Sequence, residues 1–464
     1  MENRNKTLAK NTIVLGIGQF IPKLISLITL PILTKYMSTE SYGVYDLILS
    51  VGSLAIPFFT LLIQQAAFRF LIDPQKDKIR TISNSLIVIV TLFAFWFLII
   101  SGASLMKVYS IPVMWMIFFL YTSESLYDAA GQYVRGLGSN FSYSIGVIIY
   151  SVVNMLLLLV LLILNIINAY TVILISSISY IIGFVFLCMK GGIHRYINFR
   201  ICSKDYIKDM LTYSLPIIPS SVALWIVNLS DRLLVISFLG SSINGIYAAA
   251  NKIPNLCGTA YSVFNLAWTE NASRTSDDDD RNQYYSHLFN SLFAFMVGAV
   301  MVLMILSPIF YDLLIDNKFS RGIEQMPPLF LGILFSCMVS FLGGIYVGLK
   351  KTKQVGISSA VGAVINLLIN LLLIKQIGLF AASISTVVSF FLIFVYRIVD
   401  LKKYVGLECD KNTFVLSFIG LTIITILFYL DTTALYVGGT FICLIYNYLF
   451  NRTMITHILN KVIH

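Results

Sequence analysis

Apolar runs of about twenty residues recur along the whole chain, separated by short polar gaps. That run length suits an α-helix crossing about 30 Å of hydrocarbon. The pattern predicts fourteen helices, over 12–33, 44–68, 82–105, 112–135, 143–164, 170–189, 211–238, 243–270, 284–306, 326–349, 354–374, 379–400, 413–430 and 433–450. The first run does not read as a signal peptide, because it contains Lys23, Pro22 and Pro31 and ends in no small-residue cleavage site. The expected fold class is an all-α polytopic membrane protein. The longest outer loop, between the ninth and tenth helices, is about 18 residues, which leaves no room for a folded extramembrane enzyme domain.

Composition agrees. The chain has 464 residues, 58% hydrophobic and 12% charged, against about 25% charged in soluble domains. With the N-terminus placed in the cytoplasm, 24 of the 32 basic residues fall in cytoplasmic segments or helix ends, the richest being 69–80, 190–208, 350–353 and 397–411. This asymmetry sets an even helix count with both termini cytoplasmic. It also explains the net charge of +10 through anionic headgroups rather than nucleic acid. Six scattered cysteines without a Cys-x-x-Cys pair suggest neither a disulfide framework nor a zinc site. No Gly-x-x-x-x-Gly-Lys-Ser/Thr run is present, so nothing points to ATP hydrolysis by this chain.

The chain repeats itself. LTKYMSTESYGVY (33–45) aligns without a gap on VISFLGSSINGIY (235–247), matching Gly43 with Gly245 and Tyr45 with Tyr247. Segment 135–162 aligns on 347–374, matching Gly136 with Gly348 and Asn154 with Asn366. Two matches in order imply duplication of a six-helix unit. The expected organisation is an N-terminal lobe over 1–200, a C-terminal lobe over 201–405, and an added helix pair with tail over 406–464. Transporters built from repeats bind substrate between the halves near the midplane.

Charges inside apolar runs are the candidate chemistry. Lys23 is expected about 16 Å deep in the first helix and Lys252 about 14 Å from the outer end of the eighth. A lysine at such depth costs about 2.5–3.5 kcal/mol to insert, so it belongs on a bundle interior or a wet cavity. Arg232 is the third basic residue within the bilayer. Together these three are the candidate site for an anionic headgroup. Glu124 and Asp128, four apart on one helix face, with Asp231 and Glu270, are candidates for charge balance or for a coupling H⁺ or Na⁺. Pro22, Pro57, Pro216, Pro219 and Pro254 are expected to bend helices beside the cavity. Tyr36 and Trp225 could stack on sugar rings. The run Asp277–Asp280 reads as a solvated loop rather than a metal site. No cofactor or metal is expected.

Several stretches, PILTKYMSTESYGVYDL, DRLLVISFLGSSINGIYAAANKIPNL, FNLAWTENASR, VGLKKTKQVGISSAVGAVINLLINLLLI and GLFAASISTVVSFFLIFVYR, resemble the bacterial Wzx-type polysaccharide flippases. These belong to the multidrug/oligosaccharidyl-lipid/polysaccharide exporter superfamily. The resemblance spans essentially the whole chain. It implies a V-shaped, multidrug-and-toxin-extruder-like bundle of two six-helix lobes working by alternating access. It also implies a monomer in the bacterial plasma (inner) membrane. The implied substrate is an undecaprenyl-diphosphate-linked oligosaccharide, handed on to polysaccharide assembly proteins for O-antigen, capsule or exopolysaccharide. Lipid II flippases are similar in carrying cavity-facing basic residues on the first and eighth helices, where Lys23 and Lys252 fall. Those proteins often use Arg, whose fork suits phosphate better than a point charge. The alternatives are a cation-coupled multidrug exporter of the same superfamily and, from another class, a membrane-embedded glycan polymerase.

Overall fold

The computed structural model describes the backbone of residues 2–105, 111–276, 278–430 and 432–463. Within these it describes the side chains other than those of 2–15, 17, 19, 105, 111, 219–228, 266 and 453–463. The described residues are helical almost throughout. Their order is α1 (Glu2–Tyr36), α2 (Thr39–Thr60), α3 (Ile63–Ile72), α4 (Lys78–Leu105), α5 (Ile111–Gly136), α6 (Asn140–Ile163), α7 (Ala169–Lys190), α8 (Lys204–Ser214), α9 (Ile217–Leu239), α10 (Ser241–Arg274), α11 (Arg281–Leu314), α12 (Met326–Gly348), α13 (Thr352–Ile377), α14 (Phe380–Leu401), α15 (Lys411–Leu430), α16 (Thr432–Ala434) and α17 (Thr440–Ile463). Three-residue-per-turn segments fill 193–196, 199–201 and 317–325, and a π-helical turn fills 435–439.

Ten helical segments are long and apolar enough to cross a membrane among the described residues. Four more helices, α1, α5, α9 and α10, reach 35, 26, 23 and 34 residues but stand outside those ten. The sum is consistent with the fourteen expected spans.

Two expected helices are broken. The run 44–68 divides into α2 and α3 at Leu61 and Leu62, both left-handed, with φ of 50° and 52°. Pro57, inside α2, supplies no backbone donor. The Thr60 hydroxyl donates to the Ile56 carbonyl at 3.0 Å and accepts the Leu62 N–H at 3.3 Å, diverting the backbone from its ladder. Two left-handed leucines cost about 1–2 kcal/mol each. Beyond the break, Ile63, Ala66 and Ala67 are fully buried, which offsets that cost. The run 211–238 divides at Leu215–Pro216 into α8 and α9. By contrast, Pro22 and Pro254 lie inside uninterrupted α1 and α10. The outer loop expected between the ninth and tenth helices is shorter than foreseen, because α11 runs on to Leu314 and 317–325 coils tightly.

The chain forms two compact units, Met1–Leu233 and Leu234–His464, the division falling within α9. The first unit's core joins α3, α4, α5, α7 and α8 through Ile63, Ala66, Ile82, Ala129, Ala130, Tyr133, Leu187 and Met210. The second centres on stacked rings: Phe293 lies 4.3 Å from Phe414, and Trp268 lies 4.3 Å from Phe341.

Lipid removes much of the hydrophobic drive between helices, so close approach and polar contacts must hold them. The repeat shows how. A Cβ on Gly136 would meet Leu71 Cβ at 2.7 Å, and one on the matched Gly348 would meet the Ala272 carbonyl oxygen at 2.5 Å. Each unit thus brings its duplicated glycine against the duplicated partner helix. Asn154 donates to Ser176 of α7, and the matched Asn366 donates to Ser385 of α14.

Gly348→Ala is expected to destabilise the purified protein by about 1–3 kcal/mol, the usual cost of overpacking. Gly356→Ala, where a Cβ meets nothing within 4 Å, is expected to be neutral or stabilising. Thermal denaturation in detergent checks both.

Candidate functional site

Every charged candidate named from the sequence lies on α1, α5, α9 or α10. Lys23 is on α1, Glu124 and Asp128 on α5, Asp231 and Arg232 on α9, and Lys252 and Glu270 on α10.

Lys23 stands 13 residues before the end of α1 at Tyr36, about 20 Å along the axis. It is exposed, beside exposed Phe20, Leu24 and Ile28. Gly18, about 140° away around the helix, is buried against Ser144 of α6. Lys23 makes no ion pair with a described residue. In the second unit, Lys252 is half-buried beside buried Ile253 and Pro254.

The carboxylates Glu124 and Asp128 do share a face of α5, and the structure adds their surroundings. Asp128 accepts one hydrogen bond from Gln64 Nε2 at 3.0 Å and one from Gln132 Nε2 at 3.4 Å. Gln132 in turn accepts from Arg135 Nη1 at 3.4 Å. Arg135 lies over the rings of Phe68 and Tyr143, 4.9 and 5.3 Å from their centroids. Tyr180 stands beside Glu124 and stacks on Tyr150 at 4.4 Å, with Tyr127 5.5 Å from Tyr180. The break after α2 is what delivers Gln64 to this cluster. Gln64 is fully buried, and its Oε1 has no hydrogen-bond partner among the described residues. A buried acceptor left open is uncommon in folded proteins.

Arg232, expected at an anionic headgroup, is already engaged. Its Nε lies 2.6 Å from Asp46 Oδ2 of α2, with side chains 21% and 9% exposed. Its neighbour Asp231 is buried. Glu270 pairs with Arg274 one turn on, at 2.5 Å, both well exposed, which is the weakly stabilising kind of pair. Asp278 to Asp280 are exposed. Tyr36 is exposed, whereas Asp277 and the side chains of Pro219 and Trp225 fall outside the described residues.

One basic residue departs from its expected place. Arg397, expected at the cytoplasmic surface, is 2% exposed. Its guanidinium donates to the Val339 and Val355 carbonyls at 2.7 and 3.2 Å and to Ser358 and Ser359 at 3.0 Å each. It ties α12, α13 and α14 together. A turn further on, Asp400 accepts from Tyr346 at 2.9 Å and from Lys403 at 3.0 Å.

The helices define a polytopic, all-helical membrane protein among the described residues. The model of the family described as "Polysaccharide biosynthesis protein" matches residues 8–268, more than half of the chain, and the chain belongs to that family. Uncharacterized membrane protein MJ1375 of Methanocaldococcus jannaschii is 23% identical over 246 residues, 49% of this chain and 58% of that protein. The chain therefore spans little more than half the length of this curated relative.

Solved structures extend the likeness of fold over nearly the whole chain. Lipid II flippase MurJ in an inward closed conformation superposes with a TM-score of 0.64 at 16% identity, covering 96% of this chain and 100% of that one. An inward-facing multidrug resistance MATE family transporter of the MOP superfamily gives 0.62 at 14% identity, covering 85% and 96%. A MOP superfamily transporter from Pyrococcus furiosus, described by the reverse polarity of its binding pocket, gives 0.54 at 14% identity, covering 85% and 96%.

Removing Arg232 is expected to cost about 3–5 kcal/mol, because Asp46 is left buried without its cation, and removing Asp46 less, because Arg232 is partly exposed. Asp46→Ala combined with Arg232→Ala should cost clearly less than the sum of the two single changes. A double-mutant cycle read by thermal denaturation measures this. Arg397→Ala strips four donors from one site and is expected to cost at least about 3 kcal/mol in the same assay.

Proposed function

We propose that the chain flips an undecaprenyl-diphosphate-linked oligosaccharide from the cytoplasmic to the outer leaflet of a bacterial plasma membrane by alternating access. The product would serve surface polysaccharide assembly, and assembly proteins would receive it. Both termini would be cytoplasmic. The observation that carries this reading is Lys23: a cation exposed midway along an apolar helix, with no ion pair to a described residue. Family membership and the flippase fold support it.

The chemistry follows from the substrate's parts. The diphosphate is what hydrocarbon rejects most strongly, and a cationic wall replaces its lost hydration. Lys23 and Lys252 would each offer such a charge to the headgroup, while the polyprenyl tail stays in lipid. Arg232, held by Asp46, would position α9 rather than meet the headgroup. Glu124 and Asp128, with Asp231 and Glu270, would balance charge as access alternates. Asp128, beside the open Gln64 oxygen, is where a coupling H⁺ or Na⁺ would reside. A second reading, export of organic cations, is favoured only by the Tyr127, Tyr150 and Tyr180 rings around Glu124, a setting that attracts cations.

Reconstitution into liposomes with a fluorescent undecaprenyl-diphosphate oligosaccharide tests the proposal. Leaflet accessibility is followed with and without H⁺ or Na⁺ gradients. Wild type is expected to translocate, and folded Lys23→Ala and Lys252→Ala variants at least about tenfold more slowly, in line with loss of a charge-assisted contact. Export of a cationic dye without glycan translocation would favour the second reading. Normal translocation by both lysine variants would remove the headgroup site.

A further inference from the structure

A cavity lies wholly within the Leu234–His464 unit. Its volume is about 330 Å³, inside the range of small-molecule sites. Glu324 at the end of the 317–325 coil, Phe380 at the start of α14, Phe428 and Tyr429 at the end of α15, Thr432, and Leu435 of the π-helical turn line it. Phe428 and Tyr429 meet nearly edge-on at 5.6 Å, and Phe380 lies 6.4 Å from Tyr429. The Tyr429 hydroxyl is committed to the Glu324 main-chain carbonyl at 2.7 Å, which anchors the ring at the rim. The Glu324 carboxylate is exposed and makes no hydrogen bond or ion pair with a described residue. A π-helical turn in the wall is a frequent companion of functional sites.

Three aromatic faces and one open carboxylate form a selective set. Ring faces and a carboxylate both attract cations. An anion is repelled by Glu324. A neutral sugar would bring several hydroxyls to a wall whose remaining polar side-chain groups are only Glu324 and Thr432, leaving most of them unpaired. An acyl chain would strip water from the carboxylate without replacing it. We infer that this cavity binds an ammonium group, primary or quaternary, with the Glu324 carboxylate against its charge and the rings of Phe380, Phe428 and Tyr429 around its apolar substituents.

Its position limits the sources. α14 starts at the cavity and ends near Lys402 and Lys403, and α15 runs back from Lys411 to the cavity. The site is therefore at the end of the unit opposite those lysines, about one helix length of 33 Å away. That is the level of lipid headgroups. The ammonium could belong to the ethanolamine headgroup of a phospholipid or to a free amine in the water. The inference does not depend on the glycan reading.

The test uses the full chain purified in detergent. One arm titrates phosphatidylethanolamine against phosphatidylglycerol and counts bound lipids by native mass spectrometry. The other titrates tetramethylammonium and ethanolamine and follows the thermal midpoint. Wild type is expected to hold phosphatidylethanolamine or the free amines at least tenfold more tightly than Glu324→Gln and Tyr429→Leu do. The arm that responds identifies the source. Glu324→Gln removes the charge at an exposed position, so folding is preserved and the comparison stands even if Tyr429→Leu misfolds. Equal binding by wild type and Glu324→Gln, or no binding of any of the probes by wild type, overturns the inference.

Discussion

Charge in hydrocarbon must be answered by a partner or by water, and that constraint organises this protein. Most of its helices satisfy it by having almost no charge to answer. α1, α5, α9 and α14 do not, and each resolves the problem differently; on α14, Arg397 is answered by the carbonyls of Val339 and Val355. On α9, Arg232 is answered by Asp46 across to α2. On α5, Asp128 is answered by two glutamines, one of them delivered by a helix break. On α1, Lys23 is exposed without an ion pair to a described residue. Side chains on these helices thus divide into those held by a partner and one, Lys23, that is exposed.

The broken α2–α3 segment serves both the core and the polar cluster on α5. Two left-handed leucines are unfavourable on their own, and Thr60 and Pro57 make the break possible at that point. In return the chain seats Ile63, Ala66 and Ala67 in the core and aims Gln64 at Asp128. A continuous helix would rotate Gln64 away from that carboxylate, because the break changes the direction of everything after Leu62. The second half of the repeat carries Val263 and Phe264 at the matched positions and keeps α10 continuous there. Likewise Glu124 and Asp128 match Ser336 and Ser340 in the second half, while Arg397 matches a valine, Val185, in the first. The duplicated scaffold therefore carries unlike chemistry in its two copies.

Much of this was legible in the sequence. Run length and charge asymmetry suffice for an all-α membrane fold, and the glycines of the repeat, Gly136 and Gly348, mark close approaches in both units. The spacing of Glu124 and Asp128 placed them on one face. What the sequence concealed was pairing across distance. Nothing near Arg232 announces Asp46, 186 positions away, and Arg397 reads as one more basic residue at a helix end until the carbonyls of Val339 and Val355 surround it. Gln64 and Gln132, being neutral, gave no signal in a search for charge, although a glutamine inside an apolar run is itself expensive without a partner. The break at Leu61 was hidden because left-handed leucine has no sequence signature; Pro57 and Thr60 were the only hints.

The central claim is that the face of α1 bearing Lys23 borders water rather than lipid. Its most direct test is the aqueous accessibility of that position in the membrane. Lys23→Cys, in a chain whose six native cysteines are replaced by serine or alanine, would be treated in sealed vesicles with a membrane-impermeant charged thiol reagent. Leu372→Cys, on an exposed apolar position of α13, serves as the lipid-facing comparison. The account predicts rapid labelling at position 23 and little at 372, with labelling at 23 slowed by the diphosphate-linked glycan. Equal, negligible labelling at both positions would put Lys23 against lipid and contradict the account.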